Sequence, residues 1–285
     1  MSRRQTERRS RARSPAAALR RWLPTPLLRA SVAAHAGAAL LLVARPAAWR
    51  WVAGLAVADH LVLLAACLAP RSASLGPNLR RLDGGAAQRG EVALTFDDGP
   101  HPEVTPRVLD LLAAAGARAS FFLVGARADR HPGLVAEIAR RGHRVENHTW
   151  SHPHGFAFRG PAGLGREIDR AQARLAELTG RAPVWFRAPA GFRNPFLAGV
   201  LAARGLGLAS WTRRGFDAVS RDPRRVAARL VRGLAAGDVL LLHDGAGAGG
   251  GRPAPVLGAL PPLLDALAAR GLVSVPLPDA AGAPP

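Results

Sequence analysis

Asp97 and Asp98 stand side by side in Thr95-Phe96-Asp97-Asp98-Gly99-Pro100, directly after the apolar run Val92-Ala93-Leu94. Asp, Gly and Pro are turn formers, so the pair reads either as a polar turn or as chemistry at a strand's C-terminal end. One carboxylate can hold a metal while its neighbour acts as a base. Further donors lie in His148-Thr149-Trp150-Ser151-His152, which follows a strand-like run ending at Asn147. Two histidines at i and i+4 share one face if the segment is a helical turn, so both can reach one metal. Thr149 stands where the zinc-protease motif needs Glu. The base must then come from elsewhere, and Asp97 or Asp98 is the natural supplier. Two His, one Asp and an open position make a catalytic zinc site.

Two more motifs carry useful groups. Arg187 opens Arg187-Ala188-Pro189-Ala190-Gly191 after Val184-Trp185-Phe186. An arginine at a strand end can pair with a carboxylate and keep it ionised, and the Pro-x-Gly turn can present a backbone N–H. His243 follows Leu240-Leu241-Leu242 and is a candidate general acid, with Asp217, downstream of Trp211, as the carboxylate that orients it. Each motif has a bland alternative: a surface arginine, a structural histidine, or chance clustering with His131, His143 and His154.

The elements that must position these groups alternate. Strands are expected over Val92–Phe96, Ser120–Val124, Arg144–Asn147, Val184–Arg187, Leu206–Trp211, Val239–Leu242 and Leu272–Val275. Amphipathic stretches over Pro106–Ala115, Gly133–Arg141, Gly165–Thr179, Pro195–Arg204, Arg224–Ala235 and Pro261–Arg270 separate them. Strand–helix alternation implies a parallel sheet, and about seven such units suit a barrel, in which reacting groups gather at the strand C-terminal ends. The motifs fall at those ends.

Composition sets the frame. The chain has 285 residues and is 48% hydrophobic, enough for a sizeable core. It has no lysine and no tyrosine, and its 39 basic side chains are all arginine, so a single arginine carries little weight. Net charge is +19, with nine arginines against Glu7 alone in residues 1–29. A basic tail without interleaved aromatics or a binding fold argues against nucleic acid and suits a solvated arm at an anionic membrane face. Cys67 is the sole cysteine, which excludes an internal disulfide and a multi-cysteine zinc site.

Four regions are expected: an Arg-rich disordered tail over 1–22, an apolar helical region over 23–72, an α/β domain over 88–278, and a flexible tail over 279–285. The apolar region offers two spans, Ala30–Ala44 between arginines and Trp51–Pro70. The first is short against the ~20 residues that cross a bilayer; the second has the length, but Asp59 and His60 within it are unfavourable in lipid unless they pair or face a partner helix. A soluble hairpin and a signal peptide are the alternatives. The arginines favour a cytoplasmic N-terminus, so two spans return the domain to the cytoplasm and one places it outside. The expected location is a bacterial-type inner membrane.

The order Thr-Phe-Asp-Asp-Gly-Pro, His-Thr-Trp-Ser-His, Arg-Ala-Pro-Ala-Gly, a Trp–Asp segment and Leu-Leu-Leu-His-Asp resembles the polysaccharide deacetylase family, also called the NodB-homology or carbohydrate esterase 4 family. The resemblance implies a distorted (β/α) barrel of about seven strands and removal of acetyl groups from N-acetylated sugars such as those of chitin and peptidoglycan, or O-acetyl groups from xylan. It implies that Asp98, His148 and His152 bind a divalent metal, usually zinc. Asp97 is then the general base, Arg187 orients Asp97, the Ala190 backbone N–H joins the metal in holding the oxyanion, and His243 protonates the leaving group, tuned by Asp217. The chemistry agrees: zinc lowers the pKa of its bound water toward ~7, so Asp97 can take a proton as water attacks. Ala190 replaces an aromatic residue common in the family, which removes part of a sugar-stacking wall.

The implied partners are an acetylated glycan and a membrane, with no nucleic acid and no protein partner indicated. The rivals are a deformylase or deacetylase of a lipid-linked sugar at the membrane face, and an inactive carbohydrate-binding or membrane protein on the same fold.

Overall fold

A computed structural model describes residues 23–245 and 254–279. The tail expected over 1–22 lies outside the described residues, as does the terminal tail beyond 279. Seven strands form one parallel sheet: β1 (Glu91–Asp97), β2 (Ala119–Leu123), β3 (Arg144–Asn147), β4 (Trp185–Phe186), β5 (Gly207–Leu208), β6 (Arg213–Arg214) and β7 (Val239–His243). Their spatial order is β5-β4-β3-β2-β1-β7-β6, and β8 (Val273–Ser274) pairs with the N-terminal end of β1.

The central strands read as continuous apolar runs because both faces are covered. Alternate residues go opposite ways. Val92, Leu94, Phe96, Phe121, Leu123, Leu240 and Leu242 pack into the layer beneath the helices, whereas Ala93, Phe122, Trp185, Val239 and Leu241 fill the inner face. By this parity Thr95, Asp97, Arg187 and His243 belong to the inner face as well.

The sheet is a curled half-barrel. Arg187 follows β4, three strands from β1; at about 4.8 Å per strand, a flat sheet would separate them by roughly 14 Å. The Arg187 guanidinium instead lies 2.6 Å from Asp97 Oδ1, across the concave face. The segment preceding the domain links β5 to the chain entering β7: Leu79 N donates to Leu208 O at 2.9 Å, Ser210 N donates to Leu79 O at 2.7 Å, and Leu82 N donates to Gly237 O at 2.8 Å.

Ten helices accompany the sheet among the described residues: α1 (Pro26–Ala44), α2 (Trp49–Cys67), α3 (Gly84–Gln88), α4 (Thr105–Ala114), α5 (Gly125–Arg130), α6 (Pro132–Arg140), α7 (Pro161–Thr179), α8 (Leu197–Ala202), α9 (Pro223–Val231) and α10 (Pro255–Ala268). Helix α10 begins six residues before the expected Pro261 start. Pro261 and Pro262 sit inside it, and the buried face of Val256, Leu260, Leu263, Leu264 and Leu267 carries the helix through them. The strand expected over Leu206–Trp211 reduces to β5, and β6 forms a separate strand against β7.

Helices α1 and α2 form a hairpin joined through Arg45 and the 3₁₀ turn Pro46–Ala48. Both are long and apolar enough to cross a membrane, and Val32, Leu40, Val43, Trp51, Val57 and Leu61 are exposed on them. The first is longer than the expected Ala30–Ala44 because Thr25 caps it, its hydroxyl accepting from Leu28 N. Asp59 meets the expected requirement for a partner: its Oδ2 accepts from Ser31 Oγ of α1 at 2.7 Å.

Candidate active site

The strand ends converge on one polar cluster. Asp97 closes β1 and is the register partner of His243, the last residue of β7. Asp97 is buried and accepts from Arg187 Nη1 at 2.6 Å. Arg187 is itself buried, and every guanidinium nitrogen is occupied: Nη1 also donates to Thr95 Oγ1 at 2.9 Å, Nε to Ala209 O at 3.2 Å, and Nη2 to Ser210 O at 2.9 Å. The guanidinium carbon lies 4.0 Å from the Phe122 ring centroid. Burial lowers the Arg187 pKa against the pull of Asp97, yet a guanidinium stays charged. One carboxylate oxygen of Asp97 is therefore fixed and the other is left for chemistry.

Asp98 follows the parity break. Its φ is 71°, in the left-handed region, which turns the carboxylate away from the side that strand alternation assigns it. Asp98 Oδ1 lies 3.3 Å from His148 Nε2 and 3.2 Å from His152 Nε2. The segment from His148 to His152 is not the helical turn on which the i, i+4 reading depended. Thr149 and His152 have φ of 69° and 52°, and a tight non-helical turn brings both imidazoles onto one carboxylate. Asn147 Oδ1 accepts from Thr149 N at 3.0 Å, and Glu167 accepts from Ser151 N at 2.9 Å, which hold the turn.

His148 donates Nδ1–H to Arg187 O, 2.8 Å away, which leaves Nε2 facing Asp98. Burial disfavours a proton on His148, but Asp97 and Asp98 raise its pKa overall. Burial likewise works against charge on Asp98; the hydrogen bond with His148 and the charges of His148, His243 and His152 overcome it and hold the carboxyl well below the usual carboxylate range. His152 is pushed down to about 4 by burial and by the charge on His148. A carboxylate and two imidazole nitrogens, all within 4.8 Å of one another, form a donor set that fits a divalent cation.

His243 occupies the other side of the site. Asp217 Oδ2 accepts from His243 N at 2.7 Å, and Asp217 Oδ1 lies 2.8 Å from His243 Nδ1. The carboxylate fixes the Nδ1–H tautomer and leaves Nε2 for the site. Burial lowers the imidazole pKa, while the bond to Asp217, its charge and those of Asp97 and Asp98 raise it overall. Ala190 lies on the 3₁₀ turn Pro189–Gly191 directly beyond Arg187, with φ 53°. It is exposed, and among the described residues its N–H donates to no protein acceptor.

Several supporting residues carried no readable signal. Arg127 Nη1 donates to Asp98 O at 2.6 Å and to Gly245 O at 2.9 Å, clamping the strained peptide. In a chain whose cations are all arginine, nothing marked this one. Asp244, adjacent to His243, accepts from Thr105 Oγ1 at 2.5 Å and leaves no space for a side chain at Gly99. Burial, with the charges of Asp98 and Asp97, pushes Asp244 up to about 7 against the hydrogen bond from Thr105. Glu146 accepts from Val184 N at 2.9 Å and Trp185 N at 2.7 Å, aligning the short β4 beside β3.

Known proteins are similar to this chain in sequence and fold. A family model described as polysaccharide deacetylase matches residues 84–209. A chitooligosaccharide deacetylase of Azorhizobium caulinodans is 34% identical over 199 residues, 67% of this chain and 94% of that protein. A peptidoglycan-N-acetylglucosamine deacetylase of Bacillus cereus is 35% identical over 156 residues, 54% of this chain and 72% of that protein. Among solved structures, a peptidoglycan N-acetylglucosamine deacetylase in complex with 4-naphthalen-1-yl-N-oxidanyl-benzamide is 29% identical with TM-score 0.65, over 70% of this chain and 91% of that one. A family 4 carbohydrate esterase from Streptomyces lividans in complex with acetate is 36% identical with TM-score 0.59, over 65% and 91%. The family match, the identity to a deacetylase covered over 94% of its length and the shared fold together place the chain in the polysaccharide deacetylase family, carbohydrate esterase family 4.

Proposed function

We propose that this protein hydrolyses the N-acetyl group of an N-acetylglucosamine-containing glycan, with the catalytic unit spanning residues 88–278. The reading rests on one observation above all: Asp97 is pinned by Arg187 at 2.6 Å beside the Asp98–His148–His152 donor set, with His243 as its register partner. The named activities of the relatives support the substrate class.

Asp98, His148 and His152 would hold the divalent metal, zinc by the nature of its donors. When bound, such a metal polarises the acyl oxygen and acidifies a water toward pKa ~7. Asp97 takes a proton from the attacking water through the oxygen that Arg187 leaves free. The Ala190 N–H donates to the oxygen on which negative charge develops; one such donor is worth roughly 3–4 kcal/mol in comparable sites. His243 Nε2–H protonates the departing nitrogen as the C–N bond breaks, because an amine leaves poorly as an anion. Acetate and a free amino sugar result. An inactive binding protein would have no need of a buried arginine on the base or a carboxylate behind the acid.

Helices α1 and α2 act as a membrane anchor in this reading, with their apolar exposed faces and the internal Ser31–Asp59 bond in support. The test is acetate release from N-acetylchitooligosaccharides, peptidoglycan fragments and lipid-linked amino sugars by metal-loaded protein, with Asp97→Asn as control. Release from a glycan that stops in Asp97→Asn is the expected result. No acetate from any N-acetylglucosamine glycan would overturn the reading, and formate or acetate from the lipid-linked sugar alone would favour the rival substrate.

A further inference from the structure

The nine phenylalanines divide sharply by place. Phe96, Phe121, Phe122, Phe156 and Phe186 are buried, whereas Phe158, Phe192, Phe196 and Phe216 are exposed by 90, 39, 53 and 45%. All four exposed rings lie on loops that follow the C-terminal ends of β3, β4 and β6, around the site. Beyond residue 72, the other large exposed apolar side chains among the described residues are Val219, on the loop of Phe216, and Val273, in β8 at the opposite end of the sheet. A phenylalanine left in water forgoes the burial that stabilises the five inner rings. Several on one face mark a surface that something covers.

The hairpin joins the domain at this same rim. Arg193 is buried, its N donates to Cys67 O at 3.4 Å, and its guanidinium donates to Ser72 O. Asn78 Nδ2 donates to Pro70 O at 2.9 Å and Ser72 O at 3.0 Å. Arg71 Nη1 donates to Thr212 O at 3.1 Å. Gly191 has φ 76°, and a Cβ there would lie 2.7 Å from both Pro70 Cβ and the Trp211 ring. The end of α2 is therefore seated on the turn that carries Ala190.

The rim is continuous from that point. Asn194 Nδ2 donates to Ala157 O at 3.1 Å and Arg159 O at 2.8 Å, tying the loop of Phe158 to that of Phe192 and Phe196. On the other side Arg214 bridges Trp211 to Phe216, its guanidinium carbon 5.4 Å from one ring and 4.9 Å from the other.

We propose that this rim docks on the surface of an anionic bilayer, so that the active site opens at the lipid–water boundary and takes glycan held at that boundary. The inference rests on reading α1 and α2 as membrane segments. If α2 crosses a bilayer, Leu68–Ser72 lies at its interface, and the rim bonded to those residues lies there too. Phenylalanines that insert among acyl chains, with Arg71 and Arg159 beside them to meet phosphates, suit that boundary. The net charge of +19 complements an anionic leaflet.

Site-directed nitroxides test this in the full chain. In a Cys67→Ser background, the variants Leu55→Cys, Phe158→Cys, Phe196→Cys and Val273→Cys are each labelled and reconstituted into phosphatidylcholine–phosphatidylglycerol vesicles. Collision with a water-soluble nickel chelate is then measured. The expected result is shielding at 55, a several-fold lower collision rate at 158 and 196 than at 273, and free access at 273. Labels at 158 and 196 as accessible as at 273, with 55 shielded, would overturn docking while leaving the anchor intact. A wet label at 55 would remove the anchor and the docking with it. Labels shielded by soluble chitooligosaccharide and not by vesicles would overturn docking in favour of a sugar platform. Acetate release from the same samples separates the two readings: active protein with a wet rim sinks docking alone, and a docked but inactive protein sinks the hydrolase reading alone.

Discussion

Among the described residues two clusters each hold two histidines and an aspartate: Asp98, His148 and His152 at the barrel mouth, and His35, Asp59 and His60 in the hairpin. Their chemistry differs because their backbones differ. In the hairpin all three residues are helical. His35 Nδ1 lies 2.9 Å from Ser31 O, and His60 Nδ1 lies 2.7 Å from Ala56 O, each on the carbonyl four residues back. Asp59 takes the Ser31 hydroxyl. Each imidazole is thus bonded to its own helix, and Asp59 to the other helix. At the mouth none of the three residues is helical. Asp98 and His152 have positive φ, and His148 is braced by a carbonyl from the neighbouring strand end. Strained strand ends aim imidazoles at a shared carboxylate, whereas a regular helix lets each imidazole bond locally. Glue between helices and a donor set for a cation can therefore share one composition.

The sharpest way to break that contrast is to remove one aspartate from each cluster. Asp98→Ala should empty the metal site and take acetate release to background, while Asp59→Ala leaves the metal content of purified protein unchanged; a metal ion lost from Asp59→Ala would erase the distinction. Next in size, Asp97→Asn should keep its metal and lose about 10²–10⁴-fold in kcat, the range of a general base. Normal turnover in that variant would move the base elsewhere. Asp217→Asn acts through His243. The carboxylate raises the His243 pKa, so the acid form persists to higher pH than an ordinary histidine allows. Without it the imidazole loses its proton sooner, and the basic limb of the kcat profile should move to lower pH. A limb that stays put would make Asp217 merely structural. The smallest effect belongs to the hairpin. Ser31→Ala should cost about 0.6 kcal/mol of hairpin stability in detergent titrations, in line with interhelical bonds in membranes, with hydrolysis of soluble chitooligosaccharide unchanged.

A stability measurement brings in a histidine outside both clusters. Burial, followed by the charges of Arg141 and Arg118, pushes His143 down to about 4, and its Nδ1 accepts from Ala119 N at 3.1 Å. The unfolded chain binds a proton near 6.5 and the folded one does not. Folding should therefore weaken as pH falls from about 6.5 toward 4, and His143→Gln should flatten that slope in denaturant titrations.

Much of the fold was legible because an apolar run and the polar residues that close it are local properties. Val92 to Phe96 and Leu240 to Leu242 state strands, and Asp97, Arg187 and His243 mark strand ends; that all three fall on inner positions is visible only in the packing. What failed to show depended on distant contacts. Pro261 reads as a helix start, yet buried leucines on both sides carry α10 through it. Helices α3 and α5 are too short to show a period. Arg127 is one arginine among many until Asp98 O and Gly245 O appear within its reach.

Residue types and their order were enough to indicate a parallel α/β barrel and to place Asp97, Arg187 and His243 at its strand C-terminal ends. These follow from apolar runs along single strands and the polar residues that close them, which needs no knowledge of the partner. Whether Asp98 or Asp97 faces the histidines was decided only in three dimensions. The left-handed turns at Asp98, Thr149 and His152 break the alternation, and they are held by Arg127, Asn147 and Thr105 with Asp244, groups brought together from different strand ends. A backbone conformation that costs energy locally persists only where such distant contacts offset it.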